Sequence, residues 1–83
     1  MNKRKLLQRV INNKKNIKFN DIILLAEAFG FNLDRKEGSH HIYKNKEIAE
    51  IINLQNDKGE AKPYQIKQML NLVEKYNLKL EDS

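Results

Sequence analysis

The spacing of the apolar residues changes at Gly30, and this change constrains the fold more than any other feature of the chain. Before Gly30 the apolar residues recur on one helix face, at Ile22, Leu25, Ala26 and Phe29. After it a strand-like alternation begins, in which Phe31, Leu33 and Arg35 share one face. The pattern predicts a helix over 20–29, ended by Gly30 and followed directly by a β-strand.

Two further strands are predicted after the first. Turn-forming residues at 37–38 and 45–46 bound a strand over 39–44, and the apolar residues within 47–54 predict a third strand. Because both connections are tight, the three strands should form an antiparallel meander. Residues 55–60 are polar and contain a glycine, which predicts a loop before the next element.

Helices are predicted at both ends of the chain as well as before the first strand. Basic residues surround an apolar stripe over 3–12, which is typical of a short amphipathic helix. In the helix over 20–29, Asn20 is the expected N-cap and Asp21 lies in the first turn. Pro63 suits the first position of a final helix that ends at Asn77. The expected buried stripe of this helix is Ile66, Met69, Leu70, Val73 and Tyr76.

The order helix, helix, three strands, helix predicts an α+β fold with two layers. A chain of 83 residues has room for one core only. Three strands bury too little surface alone, so helices should cover one face of a three-stranded antiparallel sheet and leave the other face open. Residues 1–18 are expected to be a basic N-terminal helical extension of a domain over 19–83.

Charge is distributed unevenly along the chain. Residues 1–18 carry seven of the sixteen basic residues and none of the eleven acidic ones. A net charge of +5 favours an anionic partner, most often nucleic acid, although a solvated lysine-rich helix would show the same pattern. The lack of cysteine excludes disulfides and fits a reducing cytoplasm. No apolar run reaches the roughly 20 residues that a membrane helix needs.

The two histidines of the chain are adjacent, and three kinds of chemistry compete for them. Neighbours on a strand point to opposite faces, so His40 should share a face with Ile42, and His41 with Tyr43. Both therefore cannot readily bind one metal ion, and a zinc site usually needs three or four protein ligands. Either imidazole could simply be a hydrogen-bonded structural residue. The third chemistry is acid–base catalysis, because an imidazole both takes and gives a proton near neutral pH, as metal-free RNA cleavage requires.

Basic residues flank the histidines and would suit a phosphate group. Lys36, Lys44, Lys46 and Arg35 could stabilise the additional negative charge of a phosphorane, although charged residues are also ordinary at exposed strand positions. Gly38 permits a positive φ in the turn, which would bring backbone N–H groups close to a ligand.

Two stretches of the chain, FGFNLDRKEGSHHIY and GEAKPYQIKQMLNLVEKYNL, together resemble the HicA family of toxins from bacterial toxin–antitoxin modules. The resemblance covers roughly residues 20–77. Its most specific parts are G-S-H and K-P, which occur in the family's order with a strand between them. The basic segment 1–18 lies outside the minimal family core.

The resemblance implies a fold like that of the double-stranded-RNA-binding domain. It also implies the activity of a type II toxin, a metal-independent endoribonuclease that cleaves mRNA and needs no cofactor. A HicB-type antitoxin would bind the toxin, mask its catalytic histidine and block RNA. The expected partners are therefore the antitoxin and mRNA, in the cytoplasm, with no membrane and no metal.

His40, in the G-S-H motif, matches the catalytic histidine of the family. His41 is the alternative, because some relatives place the functional histidine one residue later. The second proton-transfer group is left open among His41, Tyr43 and Lys44.

The expected RNA-binding residues surround the turn and the start of the last helix. Gly38 and Ser39 match the motif and would shape the turn and help to hold phosphate. Lys62 matches a basic position before Pro63, where the free N–H groups and the dipole of the helix favour an anion. Lys67 lies about one turn farther on, and Lys36 and Lys44 complete the set.

Two other functions fit the same residues. A non-catalytic RNA-binding module would use the basic strands and Lys62 for contacts to phosphate and ribose, and would leave the RNA intact. A degenerate toxin would keep only a surface for a partner protein, through the open sheet face or an exposed edge strand. The histidine favours catalysis, because pure binding does not need an imidazole in the turn.

Overall fold

The computed structural model describes residues 2–81 and has an α+β fold, as predicted. Its helices are α1 (Lys3–Asn12), α2 (Phe19–Ala28) and α3 (Pro63–Lys75). Its strands are β1 (Phe31–Glu37), β2 (His40–Asn45), β3 (Ile51–Asp57) and β4 (Glu60–Ala61). The strands form one antiparallel sheet in the order β1-β2-β3-β4. Within residues 2–81 no helix is long and apolar enough to cross a membrane.

The sheet has four strands, so the prediction of three was wrong, and the third strand is displaced along the chain. β3 begins at Ile51 instead of residue 47, and residues 46–50 form a longer connection than predicted. The segment 55–60, predicted as a loop, continues β3 and returns as β4. Lys58 and Gly59 have φ of 54° and 89°, the conformation of a two-residue type I′ hairpin turn. Asn56 Oδ1 accepts a hydrogen bond from the Gly59 N–H at 2.7 Å and stabilises this turn.

α2 begins one residue earlier than predicted. Its N-cap is Lys18, which makes no side-chain capping bond, so the assignment of Asn20 as the N-cap was wrong. The reason is tertiary: Phe19 is buried, and its N–H donates to the Gly59 carbonyl at 2.9 Å. Asp21 lies in the first turn as predicted.

β1 contains a bulge that the alternation of its sequence does not reveal. Leu33 lies opposite Tyr43, but Arg35 lies opposite Ile42, because the register shifts at Asp34. An extra residue in one strand reverses the faces of all residues that follow it. The prediction that Leu33 and Arg35 share a face was therefore wrong, and Arg35 lies on the same face as Ile42.

The hydrophobic core lies between the helices and one face of the sheet. α2 and α3 pack against the sheet, and α1 packs against α2. The largest fully buried side chains come from all these layers: Phe31, Ile17, Ile22, Leu25, Leu54, Ile66, Met69 and Val10. Tyr76, predicted to be buried on the stripe of α3, is instead 38% exposed. Among residues 2–81 no helix packs against the opposite face of the sheet, which is open, as predicted.

Candidate functional site

The turn between β1 and β2 places the two histidines at the start of a strand. Glu37 and His40 are paired, which leaves Gly38 and Ser39 as a two-residue hairpin turn. Gly38 has φ of +63°, and no atom lies within 4 Å of where a Cβ would be. Glycine is therefore required here by the backbone conformation and not by lack of space. The Ser39 carbonyl accepts the Asn56 N–H at 3.2 Å, which attaches the turn to the end of β3.

His40 lies on the open face of the sheet and is half-buried. Its Nδ1 is 3.1 Å from Oδ1 of Asn53 on β3, the diagonal neighbour across the strand pair. An amide oxygen only accepts hydrogen bonds, so this contact requires a proton on Nδ1. The other ring nitrogen, Nε2, then has a free lone pair and is able to accept a proton.

His41 lies on the opposite face, among the helices, as strand alternation predicted. Its ring packs against Phe19 at the start of α2, with ring centroids 4.9 Å apart and planes tilted by 60°. Its Nδ1 lies 3.2 Å from the Ser39 carbonyl oxygen, which again requires a proton on Nδ1. Because the two imidazoles are on opposite faces of the sheet, they contact different residues. Within the part of the chain that the structure describes, no group of three or more His, Cys, Asp or Glu side chains could hold a metal ion.

Arg35 and Lys44 lie on the same face of the sheet as His40 and are paired with carboxylates. Arg35 Nη1 lies 2.7 Å from Asp34 Oδ2, and Lys44 Nζ lies 3.4 Å from Asp34 Oδ1. Arg35 Nε also contacts Glu37 at 3.3 Å. The hydrogen bond from Arg35, together with the charge of Lys44, lowers the pKa of Asp34. Hydrogen bonds to Asp34 and Glu37 raise the pKa of Arg35. The four side chains are between 32% and 61% exposed, so solvent screens these pairs and the two cations can exchange their carboxylates for another anion.

The remaining predicted lysines are spread over three places. Lys36 lies opposite His41 on the helix face of β1, the edge strand, and is exposed. Lys62 is the N-cap of α3 and provides no side-chain capping bond. Its carbonyl accepts the Gln65 and Ile66 N–H groups at 3.0 and 3.2 Å, and Pro63 has no N–H. Lys67 lies on the exposed side of α3, where it lines a groove with Leu70. The structure thus brings Lys44 to the face of His40 and Lys36 to the face of His41.

Two residues change the interpretation of the site. Tyr43, a candidate for the second proton transfer, is only 3% exposed and packs in the core on the face opposite His40. Burial, together with the charge of Glu27, raises the pKa of Tyr43. Asn53 was not predicted from the sequence. The signal was available, because Asn53 is the polar residue in the otherwise apolar run Ile51-Ile52-Asn53-Leu54.

A family profile described as the HicA toxin of bacterial toxin–antitoxin matches residues 19–74, which is more than half of the chain. The chain belongs to the HicA toxin family. The match includes both histidines, Asn53 and the start of α3, and it excludes α1. Membership of this family implies an antitoxin partner. Neither a curated protein nor a solved structure gives a significant match.

Proposed function

We propose that this HicA-family toxin is a metal-independent endoribonuclease that cleaves mRNA with His40 as its acid–base residue. The observation that carries the proposal is the contact between His40 Nδ1 and Asn53 Oδ1 at 3.1 Å. A histidine whose Nδ1 proton is held by an acceptor keeps its ring orientation and presents Nε2 as a base. The open sheet face leaves room for an RNA strand beside this ring.

The reaction needs a base, an acid and a place for negative charge. Nε2 of His40 takes the proton from a ribose 2′-OH, and the 2′-oxygen attacks the adjacent phosphorus. The bond from phosphorus to the 5′-oxygen breaks, and the leaving oxygen takes a proton from solvent water, which gives a 2′,3′-cyclic phosphate and a 5′-OH. Lys44 and Arg35 lie on the same face and would stabilise the phosphorane by exchanging Asp34 for the phosphate.

RNA binding in this proposal uses residues around the histidines and the start of α3. The turn at Gly38 and Ser39 would approach the backbone closely, and Lys36 would bind phosphate at the edge of the sheet. The positive end of the α3 dipole, with Lys62 at the N-cap and Lys67 about one turn farther on, would bind a further phosphate. A HicB-type antitoxin would inhibit the toxin in the cytoplasm by covering His40.

His41 is the second candidate for the catalytic role, and one observation favours it. Its Nδ1 proton is also held by an oxygen, the Ser39 carbonyl, so its Nε2 is equally prepared to accept a proton. Lys36 lies opposite it on the neighbouring strand. Replacing each histidine separately distinguishes the two, because the rings occupy opposite faces.

The test is induced expression of the wild type, His40→Ala and His41→Ala, followed by growth curves and gels of total RNA. The purified proteins are then incubated with RNA in the presence of EDTA. We expect growth arrest and EDTA-resistant cleavage for the wild type, and loss of both in His40→Ala alone. Loss in His41→Ala alone would transfer the catalytic role to His41. Bound but intact RNA with the folded wild type would refute the nuclease and leave an RNA-binding module.

A further inference from the structure

An apolar groove lies on the helix side of the molecule, between α1, α3 and the C-terminal residues. Its volume is about 520 Å³. Leu7, Leu70, Val73 and Leu80 form its floor and are only partly buried, although they pack against the core. At its edge Ile11 is 49% exposed. The groove belongs neither to the face of His40 nor to the surroundings of His41.

The shape of the groove fits a helix. Two of its sides are helices: α1 contributes Leu7 and Ile11, one turn apart, and α3 contributes residues from Lys67 to Glu74. At 1.5 Å per residue the α3 side is about 10 Å long, or two helical turns. An amphipathic helix with anchors at positions i, i+3 or i+4, and i+7 has this length and this apolar face.

The charge of the groove defines the partner further. Lys14, Lys67 and Lys79 line it, and among the described residues that line it Glu74 is the one carboxylate. Lys14 Nζ donates to the Ile11 carbonyl at 3.4 Å and Lys79 Nζ to Asn77 Oδ1 at 3.3 Å, so both ammonium groups lie beside the apolar floor with neutral partners. A bound helix with acidic residues beside its apolar stripe would neutralise the charges of these lysines. A nucleic acid would match the lysines but would leave the apolar floor unfilled.

We propose that this groove binds an acidic amphipathic helix of the cognate antitoxin. The proposal relies on family membership for the existence of an antitoxin and does not depend on ribonuclease activity. The bound helix would hold the antitoxin on the helix side of the toxin, away from His40. Another part of the antitoxin would then be positioned to cover the sheet.

Titration calorimetry with the full-length cognate antitoxin tests the proposal. All proteins carry His40→Ala so that they can be produced without arrest. Ile11→Glu is expected to raise Kd at least about tenfold, because it places a carboxylate against the apolar anchor and the acidic flank of the helix. Leu33→Glu is the matched control, since Leu33 is 44% exposed and lies outside both the groove and the open sheet face. Lys79→Glu should weaken binding most at low salt.

Methyl NMR locates the contact independently of affinity. Addition of the antitoxin should shift the methyl resonances of Leu70 and Val73 in the groove. An unchanged Kd for Ile11→Glu, or unmoved Leu70 and Val73 methyl groups in the complex, would overturn the proposal. Movement of these methyl groups by a short RNA but not by the antitoxin would also overturn it. Ile11 lines the groove and His40 lies on the open sheet face. A negative calorimetry result would therefore not bear on the ribonuclease proposal, and absence of ribonuclease activity would not bear on this one.

Discussion

Replacement of Asn53 by leucine tests the proposed role of Asn53 in orienting the His40 imidazole. Leucine has nearly the shape of asparagine but cannot accept the proton of His40 Nδ1, now 3.1 Å from Asn53 Oδ1. A neutral hydrogen bond contributes about 0.5–1.5 kcal/mol net, and each 1.4 kcal/mol corresponds to a factor of ten in rate. We therefore expect kcat for RNA cleavage to fall about twofold to tenfold in Asn53→Leu, as the imidazole loses its fixed orientation and tautomer.

The assay is cleavage of a short fluorescent RNA, with kcat and KM measured separately and thermal unfolding followed in parallel. KM should stay near the wild-type value, because Asn53 is proposed to position His40 and not to bind RNA. Asn53→Asp should restore kcat, since a carboxylate accepts the same hydrogen bond.

The matched control for this prediction is Gln55→Leu. Gln55 lies directly opposite His40 on β3 and on the same face. Its backbone N–H donates to Gln65 Oε1 at 2.7 Å, and this bond does not involve the Gln55 side chain. The control should cleave RNA within about twofold of the wild type, because no side-chain bond to the imidazole is lost. A wild-type kcat for Asn53→Leu, or an equal fall in both variants, would refute the assigned role of Asn53.

Two further predictions concern stability and its dependence on pH. Asn45→Ala should lower the free energy of unfolding by about 2–3 kcal/mol in urea titrations, because buried Asn45 donates to the Phe29 carbonyl at 3.0 Å and accepts the Glu47 N–H at 2.8 Å; a loss below about 0.5 kcal/mol would contradict this reasoning. Hydrogen bonds from the Tyr76 hydroxyl and, second, from Lys75 lower the pKa of Glu50. The ionised Glu50 therefore stabilises the fold at pH values above the usual carboxyl pKa, and this stabilisation is lost as the pH falls through the lowered pKa. Glu50→Gln should therefore lower Tm at neutral pH and match the wild type in acid, and a difference in Tm that grows on acidification would exclude this linkage.

Local patterns predicted the elements whose causes are local. The helical spacing around Leu25, the proline at the start of α3 and the alternation of His40 with His41 each depend on residues within one or two turns or along one strand. These features agree with the structure, and the helix boundaries agree to within two residues. The opposite orientation of the two histidines was among them, although the catalytic role of either is a proposal.

The errors share a different cause. The start of α2 was missed because Phe19 is held by Gly59, about 40 residues away in the chain. The short strand β4 was missed because its pairing with the end of β3 is visible only once the Lys58-Gly59 turn has formed. Both features depend on contacts between segments, which a periodic pattern in one segment does not contain.

The sequence by itself determined the fold class, the basic character of the N-terminal segment, the turn that precedes the histidines and the family resemblance, because each depends on composition, period or a short motif. Only the tertiary structure decided what each imidazole contacts. It placed Asn53 beside His40, placed Phe19 against His41, and moved Arg35 to the open face through a bulge. These arrangements follow from strand register and helix packing, which bring distant residues together and set the surroundings in which an imidazole acts.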